Sequence, residues 1–182
     1  MNYAEIKKFD IANGVGVRTT LFVSGCRHRC PGCFNAEAWP FSAGRAFTPE
    51  VENEILDSLK PEYVVGLSVL GGEPLEPENQ SALAPFLECV RASYPKKSTW
   101  LWTGFTWEQL SRKECRARTA NLDRILANID VLVDGPFVEE QKDLTLRFRG
   151  SSNQRIIDVV ASRAHGKLVP WQDEHIYASH SW

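Results

Sequence analysis

Four short apolar runs in this chain each stop at a glycine, and helix-like segments separate several of them. Residues 17–24 are rich in β-branched and aromatic side chains and stop at Gly25, which reads as a strand and its exit. Residues 63–70 form a largely apolar run, as in a strand covered on both faces of a parallel sheet, and stop at Gly71-Gly72-Glu73-Pro74. Residues 98–103 lead into Gly104, and residues 129–134 lead into Gly135-Pro136. Residues 156–160 are the candidate for a last strand.

The intervening segments carry helix signals. Thr48-Pro49-Glu50 supplies an N-cap, a proline at the first helical position and an acid in the first turn. Val51, Ile55, Leu56 and Leu59 then fall on one face before Lys60-Pro61. Leu83, Phe86, Leu87 and Val90 repeat at helical spacing, and Pro85 predicts that the regular helix begins near residue 84. Thr106-Trp107-Glu108-Gln109 resembles a capping box, and a further helix is predicted around residues 122–126.

Strands alternating with helices predict an α/β fold with a mostly parallel sheet. Four or five βα units are too few to close an eight-stranded barrel of about 250 residues, so the expected shape is an open, partial βα barrel. The chain has 182 residues, which suits one domain over residues 1–160. The segment 161–182 has little periodicity and is expected to be a loosely ordered tail. Ligands in such folds bind at the C-terminal ends of the strands, where the glycine-punctuated segments converge.

The formal charge is −2, so there is no bulk electrostatic reason to bind nucleic acid or an anionic membrane. No apolar run approaches the ~18 residues needed to span a bilayer, and the charged start does not read as a signal peptide. A cytoplasmic location is the default expectation.

The chain has five cysteines, an odd number that argues against a disulfide framework in such a setting. Cys26, Cys30 and Cys33 fall together directly after the first predicted strand. Three thiolates can fill three corners of an iron–sulfur cubane and leave one iron for a substrate. Gly25, Pro31 and Gly32 keep that loop free of bulk. A zinc ion held by the same cysteines with His28 is the alternative, and unligated thiols are a third; His28, between Arg27 and Arg29, is expected to be exposed. Cys89, next to Val90, is expected to be a small buried hydrophobe, and Cys115, among basic neighbours, an incidental surface thiol.

Gly71 and Gly72 at a strand end allow a ligand close to the backbone, and Glu73 adds an anion suited to an ammonium group; a tight turn explains the same tetrapeptide. Arg149, Ser151, Asn153 and Gln154 form a polar run that can bond a carboxylate or simply make a turn.

These motifs resemble the radical S-adenosylmethionine superfamily: residues 26–33 match its three-cysteine motif and residues 71–74 its methionine-binding motif. A glycine, Gly32, stands before the third cysteine where the superfamily usually has an aromatic, and Phe34 follows it. The segments 10–18, 30–35, 102–105, 133–137 and 149–155 are similar to one family within it, the activating proteins of anaerobic ribonucleoside-triphosphate reductase. The likeness runs from about residue 3 to residue 158.

The resemblance implies an oxidoreductase, a glycyl radical activase like the activating enzyme of formate C-acetyltransferase. Its cofactors would be a [4Fe-4S] cluster on Cys26, Cys30 and Cys33 and S-adenosylmethionine. One electron would cleave the sulfonium to methionine and a 5′-deoxyadenosyl radical, which takes hydrogen from a glycine of the reductase, the protein partner. A flavodoxin-type protein would donate the electron. The resemblance implies that Gly32, Cys33 and Phe34 lie against the adenine, and that Gly71, Gly72 and Glu73 hold the methionyl ammonium. Thr103 and Asp134, which end neighbouring strands, would orient the ribose or carboxylate, with a monovalent cation near Asp134 in some relatives; capping the strand ends explains them equally. Ser151 and Asn153 would face the carboxylate or the incoming glycine loop. Trp39, Phe41, Phe105 and Phe137 are candidates for apolar surface near the site, or for core. A radical enzyme acting on a small molecule, like 7-carboxy-7-deazaguanine synthase, and a zinc-binding or electron-carrying module are the rival functions.

Overall fold

A computed structural model describes residues 1–172. One seven-stranded sheet organises them, in the order β3-β1-β2-β4-β5-β6-β7. The central strands are β2 (Val17–Val23), β4 (Val64–Gly71), β5 (Ser98–Trp102) and β6 (Val131–Asp134), all parallel. Antiparallel strands flank them: β1 (Asn2–Asp10) and β3 (Arg45–Ala46) on one side, β7 (Arg155–Asp158) on the other. The fold is therefore mixed α/β with a parallel centre, as the alternation predicts.

Because side chains alternate across a strand, each strand divides into two faces. Leu21 and Val23, Leu67 and Val69, Leu101, Leu132 and Ile157 point into one buried apolar core. Helices α1 (Pro49–Ser58), α2 (Pro77–Ser93), α3 (Trp107–Leu110), α4 (Leu122–Ala127) and α5 (Val159–His165) contribute their apolar residues to this core. The opposite face carries Trp100, Val131 and Val133, covered by Val15, Phe148, Ile156 and Trp171 rather than by a helix. Arg18 is buried on that face; it donates to Ser68 Oγ at 2.8 Å and to the carbonyls of Leu67 and Ser98, both at 2.8 Å. Burial pulls its guanidinium down to about 10, which still leaves it charged at neutral pH.

The capping box is present: Thr106 Oγ1 accepts from the Gln109 amide, and Gln109 Oε1 accepts from the Thr106 amide at 2.8 Å. Thr48 and Pro49 open α1 as predicted.

Several elements differ from the sequence reading. Strand β1 carries polar and charged residues over most of its length and shows no apolar signal; its pairing with β2 makes it a strand. Helix α2 begins at Pro77, not near residue 84. Pro85 is tolerated because it lies on the exposed side, where the carbonyl that it cannot pair meets water. The last strand ends at Asp158, whose carboxylate caps α5 by accepting from the Ala161 amide at 2.8 Å. Residues 161–165 are thus helical, and Pro170 and Trp171 pair with Ile157 and Ile156, so the loose tail expected from residue 161 is not what residues 161–172 form. The rest of that tail lies outside the described residues. Among the described residues no helix is long and apolar enough to cross a membrane.

Candidate iron–sulfur site

The four parallel strands deliver their C-terminal ends to one open cavity of about 410 Å3. That size lies within the range of about 300–1,000 Å3 usual for small-molecule sites. Cys26, Cys30, Cys33 and Phe34 line it from the loop after β2, and Gly71, Gly72 and Glu73 from the end of β4. Trp102, Thr103 and Gly104 come from the end of β5, and Gly135 and Phe137 from the segment after β6. Phe22, Leu70 and Trp102 form part of the wall from the open face of the sheet.

Local chemistry explains the shape of the cysteine loop. Gly25 has φ +94°, and a Cβ there would lie 2.3 Å from the Phe41 ring, so the chain turns out of β2 only with glycine. The loop closes on itself through a short 3-10 turn, Ala36–Ala38, since the Gly25 amide donates to Ala38 O at 2.8 Å and the Cys26 amide to Trp39 O at 2.9 Å. Cys33 N donates to Cys30 O at 3.2 Å, and the Asn35 amide donates to Cys33 Sγ at 3.4 Å. All three thiols are free. Burial pushes the Cys26 thiol up to about 11, while the His28 and Arg29 amides act in the opposite direction. Burial raises Cys30 as well.

A second set of contacts fastens this loop to its neighbours. The Gly72 amide donates to Val23 O at 2.7 Å and the Glu73 amide to Gly25 O at 2.8 Å. Glu76 is fully buried; Oε1 accepts from the Arg27 amide at 2.9 Å, and Oε2 from the Arg27 guanidinium at 2.8 Å. Arg116 grips the same carboxylate with two bonds of 3.0 Å. Asn79 Nδ2 donates to Ser24 O at 3.0 Å and to Glu73 O at 2.9 Å. The sequence reading missed Glu76 and Asn79; the signal was there, in acids and amides placed just after the Gly-Gly turn, yet nothing in a linear pattern says that they turn inward.

His28 is not exposed as expected. Its side chain is largely covered, its ring meets Phe105 edge-on at 4.5 Å, and Nε2 lies 3.0 Å from Glu73 Oε2. Among the described residues, no three His, Cys, Asp or Glu side chains are grouped as the ligand set of a single metal ion. Three free, partly buried thiols lining one cavity fit the donor chemistry of an iron–sulfur cluster, which is much larger than one ion. Trp39 also lines the cavity, and its buried Nε1 has no hydrogen-bond partner.

Other predicted positions lie apart from the cavity wall. Asp134 is fully buried; its carboxylate accepts from the Trp107 amide at 2.7 Å and from Arg155 Nε at 3.0 Å and Nη2 at 2.5 Å. Ser151 is fully buried, and its hydroxyl accepts from the Val138 amide at 3.2 Å. Asn153 Nδ2 donates to Pro136 O at 2.8 Å, and Gly32 is exposed on the outer side of its loop beside Glu139. Arg149 and Gln154 do reach the cavity, with Gln154 Oε1 accepting from the Gly150 amide at 2.8 Å. Of the aromatic candidates, Phe105 belongs to the core, whereas Phe137 lines the cavity against Phe34, which is 55% exposed. Cys89 is exposed and Cys115 packs partly buried against the core, the reverse of both expectations. The reason for Cys89 is angular: it stands four residues after exposed Pro85, on the solvent side of α2.

The comparisons with known proteins agree with this geometry. The family described as a 4Fe-4S single cluster domain matches residues 12–157. An anaerobic ribonucleoside-triphosphate reductase-activating protein of Haemophilus influenzae is 44% identical over 158 residues, covering 86% of this chain and 97% of that protein. The protein of the same name from Escherichia coli K12 is 40% identical over 156 residues, 85% of this chain and 96% of its own. The one from bacteriophage T4 is 37% identical over 158 residues, 86% of this chain and 93% of its own. With cysteines, fold and relatives in agreement, this chain belongs to the anaerobic ribonucleoside-triphosphate reductase-activating protein family, within the 4Fe-4S single cluster domain family.

Proposed function

We propose that this chain activates an anaerobic ribonucleoside-triphosphate reductase by generating a glycyl radical on it, as a radical S-adenosylmethionine enzyme. The observation that carries this reading is the meeting of three free thiols and the 71–73 turn in one cavity at the strand ends. The names of its relatives supply the partner. When bound, a [4Fe-4S] cluster and S-adenosylmethionine supply a one-electron cleavage of a carbon–sulfur bond, and the 5′-deoxyadenosyl fragment takes one hydrogen atom from a glycine Cα of the reductase.

The protein's own part is to hold, orient and keep dry. Cys26, Cys30 and Cys33 hold the cluster, and the backbone of Cys33 and Phe34 offers a surface for the adenine, while Gly32 makes the turn on the outer side of that loop. Gly71 and Gly72 let the end of β4 pack closely on β2 and the cysteine loop, since a Cβ on either would lie 2.7 Å from a backbone oxygen, that of Val23 or of Gly25. Phe22, Leu70 and Trp102 make the inner wall apolar, which excludes water from a reactive fragment. Phe34 and Phe137, 5.2 Å apart edge to face, form a lip that an incoming glycine loop meets first. Thr103 stands at the end of β5 with its hydroxyl on Glu73, while Asp134, Ser151 and Asn153 brace the rim from behind. Helices on one sheet face and the cavity open to the other support an open radical S-adenosylmethionine barrel. By the same reading a flavodoxin-type protein donates the electron and the protein works in the cytoplasm.

The test is anaerobic reconstitution, reduction, and incubation with S-adenosylmethionine and the reductase. A glycyl radical seen by EPR, with one 5′-deoxyadenosine formed per radical, is the expected result. Cleavage of the cofactor with no radical on the reductase would leave the activase reading without support.

A further inference from the structure

Among the described residues, two tryptophans line the cavity together with the cysteines, Trp39 and Trp102. Their indole N–H groups differ. Trp102 Nε1 donates to the Phe148 carbonyl at 2.8 Å. Trp39 Nε1 is buried and, among the described residues, meets no acceptor, neither an oxygen nor a cysteine sulfur. An indole nitrogen can only donate. A buried donor left without an acceptor is rare in a native fold, because it has lost water and gained nothing in return.

The backbone leaves Trp39 little freedom to find a partner elsewhere. It follows the 3-10 turn Ala36–Ala38, and its amide donates to Ala36 O at 3.2 Å. Its carbonyl accepts from the Cys26 amide at 2.9 Å, and the preceding carbonyl, of Ala38, accepts from the Gly25 amide at 2.8 Å. The indole is therefore carried on the same strap that fixes the first of the three thiols. The thiols draw on backbone donors instead, as where the Asn35 amide donates to Cys33 Sγ at 3.4 Å. With no protein acceptor for the indole, the acceptor has to arrive with the group that the thiols hold. A [4Fe-4S] cluster brings inorganic sulfides, which accept hydrogen bonds.

We propose that Trp39 Nε1 donates a hydrogen bond to a sulfide of the [4Fe-4S] cluster and thereby raises its reduction potential. The proposal rests on the reading of Cys26, Cys30 and Cys33 as the ligands of that cluster. Reduction adds one negative charge to the cluster, and an N–H donor stabilises the more negative state. Trp39 then sets how readily the cluster takes its electron, while the cysteines hold it.

The experiment uses the full chain with its cluster reconstituted anaerobically, before any S-adenosylmethionine is added. Iron and sulfide analysis measures the loading. The midpoint potentials of wild type and Trp39→Phe are then compared by redox titration followed by EPR. Loss of the donor is expected to lower the ratio of reduced to oxidised cluster about tenfold at the wild-type midpoint, a shift of about 59 mV to more negative potential. A second measurement uses tryptophan isotopically labelled at the indole nitrogen, with pulsed EPR of the reduced cluster reading the nitrogen coupling. The coupling is expected in wild type and in Trp102→Phe, and is expected to vanish in Trp39→Phe. Should Trp39→Phe hold no cluster, wild type and Trp102→Phe carry the test. An unchanged potential in a loaded Trp39→Phe, no coupling in wild type, or a coupling that Trp102→Phe removes overturns the proposal and leaves the cluster reading standing. A wild type that takes up no iron and sulfide overturns both.

Discussion

The buried carboxylate of Glu76 holds both the backbone amide and the guanidinium of Arg27, the residue directly after Cys26. One side chain at the start of α2 therefore fixes the first step of the cysteine loop, while Arg116 holds that side chain from behind. Groups that orient metal ligands typically affect metal affinity by about 10–100-fold when lost. Glu76→Gln is therefore expected to release its iron to a chelator at least ~10 times faster than wild type, because an amide cannot accept from all three donors. Iron release followed by absorbance in a glovebox measures this. Release at the wild-type rate would mean that the loop holds its shape without Glu76.

The two lone cysteines should respond in opposite ways. Cys89 is exposed, so Cys89→Ser is expected to change stability by no more than about 0.5 kcal/mol. Cys115 packs against the core, so Cys115→Ser places a hydroxyl in partly apolar surroundings and is expected to cost about 1–2 kcal/mol. Urea unfolding of the two variants checks this, and a thiol reagent should label Cys89 ahead of Cys115.

Arg18 bonds three backbone carbonyls and two serine hydroxyls on the loop-covered face of the sheet, and its guanidinium lies 5.6 Å from the centre of the Trp100 ring. Arg18→Ala leaves those acceptors unpaired and opens a void, with an expected loss of at least ~3 kcal/mol. Thermal unfolding measures the loss. A change below ~1 kcal/mol would show that water replaces the guanidinium there.

The Arg155 guanidinium holds the Glu108 carboxyl down to about 2, well below its usual range. A depressed acid stabilises the fold above its unfolded pKa and loses that contribution as pH falls toward its folded one. Here the window runs from about 4.5 down to about 2. Glu108 is half exposed, so solvent screening limits the effect to about 0.5 kcal/mol. Glu108→Gln is expected to be slightly less stable than wild type at pH 7 and equal to it near pH 2. Denaturant titrations at both values check the sign.

Short-range chemistry was legible in the amino-acid sequence alone. The four parallel strands, the Thr48-Pro49 start of α1, the capping box at Thr106 and the spacing of Cys26, Cys30 and Cys33 all depend on neighbours within a few residues. The placement of candidate site segments at strand ends followed from the same alternation. Tertiary structure decided what partners from far along the chain determine. Strand β1 exists because β2 pairs with it, and Pro85 stays inside α2 because its side faces water. The carboxylates of Glu73 and Asp134 read in sequence as groups for a ligand or a strand-end turn, and nothing in the linear pattern turns Glu76 inward. Each instead meets protein donors 21 to 40 residues away, at Gly104, Arg116 and Arg155. A carboxylate turns toward whichever donors the folded loops bring within hydrogen-bond reach, and no local pattern encodes that distance.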